Sequence, residues 1–154
     1  METIMQFGKF LLIVTLLTLF YISYSNSEDN QQPAQWLERC PSDQFCFTHP
    51  SNLIPANVQS IDSNAGQLNS NNITLTYDLG WYSSQFNELT NATFEPIVID
   101  GHHGKLLQQD KKVALTIPTV SGKIRFSMLI EFTDTADTEL SHKIFKSIKF
   151  NLIQ

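Results

Sequence analysis

The strongest constraint on this chain is a run of alternating residues in its C-terminal third. Ile124, Phe126, Met128, Ile130 and Phe132 occupy every second position, with Arg125, Ser127 and Glu131 between them. Successive side chains of a strand point to opposite faces, so this spacing predicts a long strand with one apolar face. Burying each of these side chains contributes about 1.5–3 kcal/mol before entropy. The alternation recurs in Ile73–Leu79, in Val113–Ile117 and in Ile148, Phe150 and Leu152. Phe45–Thr48 and Glu95–Asp100 add shorter candidates, the latter with Pro96 near its start. A sheet that is apolar on one face must be covered by another layer.

The segment Asp134–Lys146 supplies a candidate cover. Leu140, Ile144 and Phe145 share a face at helical spacing, acidic residues sit near its start, and Lys143 and Lys146 sit near its end. That charge order suits the helix dipole, and Asp134 or Thr135 is placed to cap the first turn. The remaining segments read as connections. They are the Pro55-punctuated stretch Leu53–Ile61, a turn at Asn64–Gly66 from which Gly66-Gln67-Leu68 opens a further strand candidate, Asn69–Asn72, an irregular Trp81–Thr93, and a turn over Gly101–Gly104 before a returning Lys105–Leu107. The expected fold is therefore α+β, a twisted antiparallel sheet of about six strands flanked by one or two helices.

Phe10–Ile22 reads FLLIVTLLTLFYI, thirteen residues without a charge. A helix of that length rises roughly 20 Å against a hydrocarbon core of roughly 30 Å, which suits a signal-peptide core better than a spanning helix. Ser23, Ser25 and Ser27 provide small residues for cleavage after Ser25 or Ser27. The alternative is a retained anchor, because Phe7 extends the apolar stretch. The domain reading is a signal peptide over residues 1–25, a flexible leader over 26–39 and a single α+β domain over 40–154. An exported chain matures outside the cytosol, in the periplasm or beyond, and touches the membrane only if the N-terminal segment is retained.

Cys40 and Cys46 are the two cysteines of the chain. In an exported protein an even pair reads as a disulfide, with Pro41 and Ser42 favouring the turn between them. Their spacing is not that of a redox C-x-x-C motif, and no second pair completes a zinc site. A net charge of −5 disfavours a phosphate backbone, so nucleic acid is not an expected partner.

Several phrases together resemble a known group. They are Ile61-Asp62-Ser63 followed by Gly66, Thr76-Tyr77-Asp78-Leu79-Gly80-Trp81-Tyr82-Ser83, Ile99-Asp100-Gly101, and Ile144 followed by Ser147-Ile148-Lys149-Phe150. In order and ending they resemble small exported bacterial proteins of the Mog1/PsbP-like fold group, over roughly residues 45–150. The resemblance implies a twisted antiparallel sheet flanked by helices, with a late helix leading into a final strand. It also implies an accessory or binding role and brings no shared catalytic motif.

Three clusters carry chemistry of their own. His102-His103 sits between Gly101 and Gly104, where paired imidazoles can ligate a metal, although an exposed hairpin tip is the favoured reading because no three-ligand set is visible. Asp62, Asp78 and Asp100 suit acid–base work or cation binding if they gather, but Asp62 and Asp100 are also ordinary turn formers. Asp78 lies on the polar face of a strand and has Arg125 or Lys123 as cross-strand partners. Trp81, Tyr82 and Phe86 form an aromatic cluster after Gly80; such residues more often fold back as the lid of a core, yet this loop is the first choice for a ligand or partner surface. No nucleophile elbow, zincin motif or phosphate-binding glycine loop is present. The expected function is an exported accessory or binding protein without cofactor, meeting an envelope protein or a small ligand. The alternative is a small metal-dependent or acid–base hydrolase built on Asp62, Asp78, His102 and His103.

Overall fold

A computed structural model describes residues 35–60 and 62–151. The signal candidate over residues 1–25 and the leader up to residue 34 lie outside the described residues. Ten strands and one helix follow in chain order. The strands are β1 (Trp36–Ser42), β2 (Phe45–Pro50), β3 (Ile54–Ala56), β4 (Asn64–Asn69), β5 (Ile73–Gly80), β6 (Thr93–Ile99), β7 (His102–Gln109), β8 (Lys112–Ser121), β9 (Ile124–Phe132) and β10 (Lys149–Phe150). Helix α1 (Thr138–Lys146) stands between β9 and β10.

All pairings are antiparallel, and they form two sheets. One has seven strands in the order β3-β4-β5-β9-β8-β7-β6, and the other has three in the order β1-β2-β10. The alternating residues become one buried face. Leu75, Leu115, Ile117, Phe126, Met128 and Ile130 are fully buried, and Tyr77 nearly so. The cover comes from two sources. Phe45 and Phe47 of β2 press onto this face, Phe45 lying 5.6 Å from the Tyr77 ring and 5.3 Å from that of Phe126. Ile144 and Phe145 of α1, with Ile148 beyond it, join the same core.

The expected α+β class with one sheet of about six strands is thus overturned. Strands hold 57% of the described residues and helix 8%, in two sheets with one helix. The physical reason lies in the strands with weak signals. β1 begins at Trp36, inside the expected leader, and its Cys40 and Cys46 join β1 to β2 as a disulfide with Cα atoms 4.1 Å apart. β3 forms around Pro55 at the edge of the large sheet, where a missing donor is tolerated. β4 carries a single buried apolar residue, Leu68. Its Gly66 leaves room for the ring of Tyr77, whose Oη lies 2.2 Å from where a Cβ would stand. Pro96 lies within β6 at the opposite edge, so both borders of the large sheet carry a proline against strand addition. The helix starts later than its charge pattern suggested: Asp137, not Asp134 or Thr135, is the cap, accepting from Leu140 N at 2.9 Å.

The β5–β6 connection completes the architecture. These strands are separated in the sheet by β9, β8 and β7, so residues 81–92 must cross the face opposite the core. Ser83 Oγ bonds Ser127 Oγ of β9 and the Asp78 carbonyl, each at 2.8 Å, and the Thr116 hydroxyl of β8 donates to Ser84 O at 3.4 Å. Thr116 and Ser127 are buried beneath this crossing.

The disulfide closes a short hairpin that carries two fully buried phenylalanines. Replacing both Cys40 and Cys46 by Ala should lower unfolding stability by about 2.4 kcal/mol, the loop-closure value for seven residues. Urea unfolding checks this; an unchanged midpoint would show that the hairpin is held by its aromatic packing alone.

Candidate functional site

The sequence candidates disperse over the fold. Successive strand residues face opposite ways, so His102 and His103, now the first residues of β7, project to opposite faces. The expected Gly101–Gly104 turn is instead a two-residue loop, Asp100-Gly101, with φ of 48° and 83° and Ile99 paired to His102. An Asp-Gly pair in left-handed conformation gives the twist a tight hairpin requires. Gly104 lies within β7, where a Cβ would stand 2.8 Å from Thr116 O. His102 turns edge-on to Phe150, ring centroids 5.2 Å apart, and so packs beside β10.

Asp100 serves the same junction. Its Oδ2 accepts from Phe150 N at 2.8 Å, and its Oδ1 faces Lys149 Nζ at 3.1 Å. The Phe150 amide above all, with Lys149 adding to it, lowers the pKa of this carboxyl from its ordinary value, and burial, second in size to the amide, opposes them. Asp100 is therefore a structural carboxylate that ties the β6–β7 turn to the last strand.

Asp78 lies on the face opposite the core, in register with Ser127, Thr116 and Lys105 across the sheet. Three strand spacings, about 14 Å, separate the Asp78 and Lys105 backbones, and His103 lies beyond in β7. The cross-strand ion pairs expected for Asp78 are not formed: Lys123 Nζ lies 5.1 Å from the centre of the Trp81 ring instead. Asp78 Oδ1 is shielded from solvent without a hydrogen-bond partner among the described residues. No group of three or more His, Cys, Asp or Glu side chains able to hold a metal exists among the described residues. Asp62, Asp78, His102 and His103 thus do not form a common centre.

The aromatic cluster divides. Phe86 is 6% exposed and folds under the crossing connection with φ 52°, so it is not a surface residue. Trp81 and Tyr82, 53% and 87% exposed, stand at the end of β5. They border an open cleft of about 530 Å³ together with Gln44, Asp62, Ser63, Asn64, Leu79, Gly80 and Ile124. Gly80 allows this wall to be thin, since a Cβ there would lie 2.6 Å from Ser63 Cβ. Among the polar lining residues, Asn64 Nδ2 donates to Gln44 Oε1 at 2.5 Å. Gln44 itself sits in the disulfide-closed β1–β2 turn, its N–H donating to Ser42 Oγ at 3.2 Å and its carbonyl accepting from Asn151 N at 2.8 Å. Three loops therefore meet here, and the sequence candidates that share the cleft are Asp62, Trp81 and Tyr82.

Sequence reasoning missed Gln44, Ser63 and Asn64. Gln44 lies within the cysteine-bounded turn, the one local signal that ordered polar backbone is present there; Asn64 read only as a turn former. A smaller cavity of about 220 Å³ lies between α1 and the β6–β7 hairpin, lined by Glu95, Gln108, Thr138 and His142 among others. No protein-family model matches this chain, and no curated protein matches it either.

Asp100 generates a pH prediction. Its folded-state pKa is lowered, so the stability it contributes is present above the unfolded value of about 3.9 and is lost as pH falls through the folded value. Asp100→Asn tolerates the left-handed backbone but removes the charge, and should cost about 1 kcal/mol at pH 7. That gap should begin to narrow below about pH 4, where the unfolded chain takes up the proton, and close only as pH falls through the lowered folded value. Unfolding measured from pH 7 down to pH 3 checks it; a pH-independent gap would remove the charge from the account.

Proposed function

We propose that this chain is an exported binding protein that holds a ligand in the Trp81–Tyr82 cleft. The observation that carries the reading is the pairing of two exposed aromatic rings with a fixed polar wall of Gln44 and Asn64 around one open cleft. Small-molecule sites combine apolar surface with a few placed polar groups, and this cleft is of that kind and size. A hydrolytic role built on Asp62, Asp78, His102 and His103 has no such support, because these residues do not converge.

Export is supported by the uncharged stretch Phe10–Ile22 and by the Cys40–Cys46 disulfide, a bond that persists in oxidising compartments. Among the described residues no helix is long and apolar enough to cross a membrane. Kinship with the Mog1/PsbP-like group is supported by α1 running into a final strand; the single described helix weighs against it.

Two experiments test these readings. Protein expressed with its native N-terminus and recovered from the cell envelope should lack the residues up to Ser25 or Ser27 by intact mass. It should also resist thiol alkylation; recovery from cytosol with Met1 intact and both thiols alkylated would overturn export. For binding, a thermal-shift screen over saccharides, peptides, amino acids, nucleotides and lipids should give an upward shift with at least one class. The Trp81→Ala/Tyr82→Ala variant should lose that shift. A library without effect, or a shift that persists in the variant, would overturn the cleft as the site.

A further inference from the structure

Resting on the binding reading above, we propose that the ligand of the Trp81–Tyr82 cleft is a neutral saccharide. The argument begins with charge. The lining carries one carboxylate, Asp62, and no Lys, Arg or His. The Lys123 ammonium lies outside the lining, 5.1 Å from the centre of the Trp81 ring. A phosphorylated or carboxylated ligand would meet Asp62 without a compensating cation in the lining, and the chain as a whole carries −5.

The polar wall is made of neutral groups that both give and accept hydrogen bonds. With Asn64 Nδ2 committed to Gln44 Oε1, the Asn64 amide retains its oxygen as an acceptor and the Gln44 amide retains its nitrogen as a donor. Ser63 and the Asp62 carboxylate add further acceptors on the same side. A hydroxyl group is donor and acceptor at once, so a polyhydroxylated ring matches such a mixed set without leaving a desolvated charge.

The aromatic side selects shape. An aromatic ring has a negative face that attracts polarised C–H groups, and a pyranose presents one face of axial C–H bonds with its hydroxyls at the rim. Tyr82, 87% exposed, offers a whole ring face for that contact, and Trp81 stands beside it. The cleft of about 530 Å³ falls inside the range of small-molecule sites, roughly 300–1,000 Å³. It is open at the surface, which suits a segment of a longer glycan as well as a free sugar.

The experiment uses the intact mature protein and neutral trisaccharides of glucose, galactose and N-acetylglucosamine as probes, with a uronic-acid trimer and a neutral tripeptide beside them. Titration followed by calorimetry and tryptophan emission should show saturable binding of at least one neutral trisaccharide and none of the uronic-acid trimer. Tyr82→Ala, whose side chain is exposed and whose thermal midpoint should stay at the wild-type value, should weaken that binding by about tenfold, equivalent to about 1.4 kcal/mol. Preference for the uronic-acid trimer would overturn the ligand class. So would tripeptide binding abolished by Tyr82→Ala, while leaving the cleft as the binding site. Neutral trisaccharides failing to bind, with no other probe sensitive to Tyr82→Ala, would overturn both the saccharide and the cleft.

Discussion

The structure depends on the contact of Phe45 and Phe47 with Tyr77 and Phe126. These rings meet edge to face at 5.3 to 5.6 Å, an arrangement that adds electrostatic attraction to area burial. They join two sheets that share no hydrogen-bonded strand pair. Without them the large sheet would expose its apolar face, and α1, at nine residues, is too short to cover it alone. The contact also draws in neighbouring elements: Ser147, the C-cap of α1, accepts from Thr48 N of β2 at 2.8 Å. Asp100 then holds β10 against the far hairpin. One aromatic cluster thus organises hairpin, helix end and final strand.

The sheet's other face is managed by different means. Crossing from β5 to β6 on the core side would displace β2 and α1 from the apolar surface. The chain crosses on the polar side, where short hydroxyl side chains let the backbone lie close. Ser83, Ser84, Thr116 and Ser127 satisfy one another there, which limits the cost of burying polar atoms. Phe86 adds apolar cover beneath this layer. The same crossing fixes where Trp81 and Tyr82 emerge, because they are its first two residues after Gly80.

Much of the central sheet was legible in the sequence, for a physical reason. β5, β8 and β9 have one face against the core, so burial writes a period of two into them, as Ile73–Leu79 and Ile124–Phe132 show. β1, β3 and β4 lie at borders or lend only part of a face, and their residues reflect neighbours rather than burial. Gly66 is legible only once Tyr77 is known to lie across it, and the Trp36 strand only once the disulfide is known to make a hairpin. The split into two sheets follows from a contact between residues far apart in the chain, Phe45 with Phe126, that no local pattern encodes. The candidate site was half legible. Trp81, Tyr82 and Asp62 stood out by type, Phe86 belonged to the interior, and Gln44 and Asn64 became visible only through their hydrogen bond.

The cleft inherits its rigidity from these same constraints. Binding is costly when side chains must be ordered, at about 0.5–1.5 kcal/mol for each one immobilised. Here Gln44 is held through its N–H, its carbonyl and its side chain, and Trp81 is held by the Lys123 ammonium. The side chain left to be ordered is chiefly Tyr82, whose ring has two rotatable bonds and little entropy to lose. The Cys40–Cys46 bridge limits the unfolding of the hairpin that carries Gln44, so the polar wall stays formed while the aromatic wall stays open. A site built in this way can bind with few contacts, which is what an open cleft between three loops has to offer.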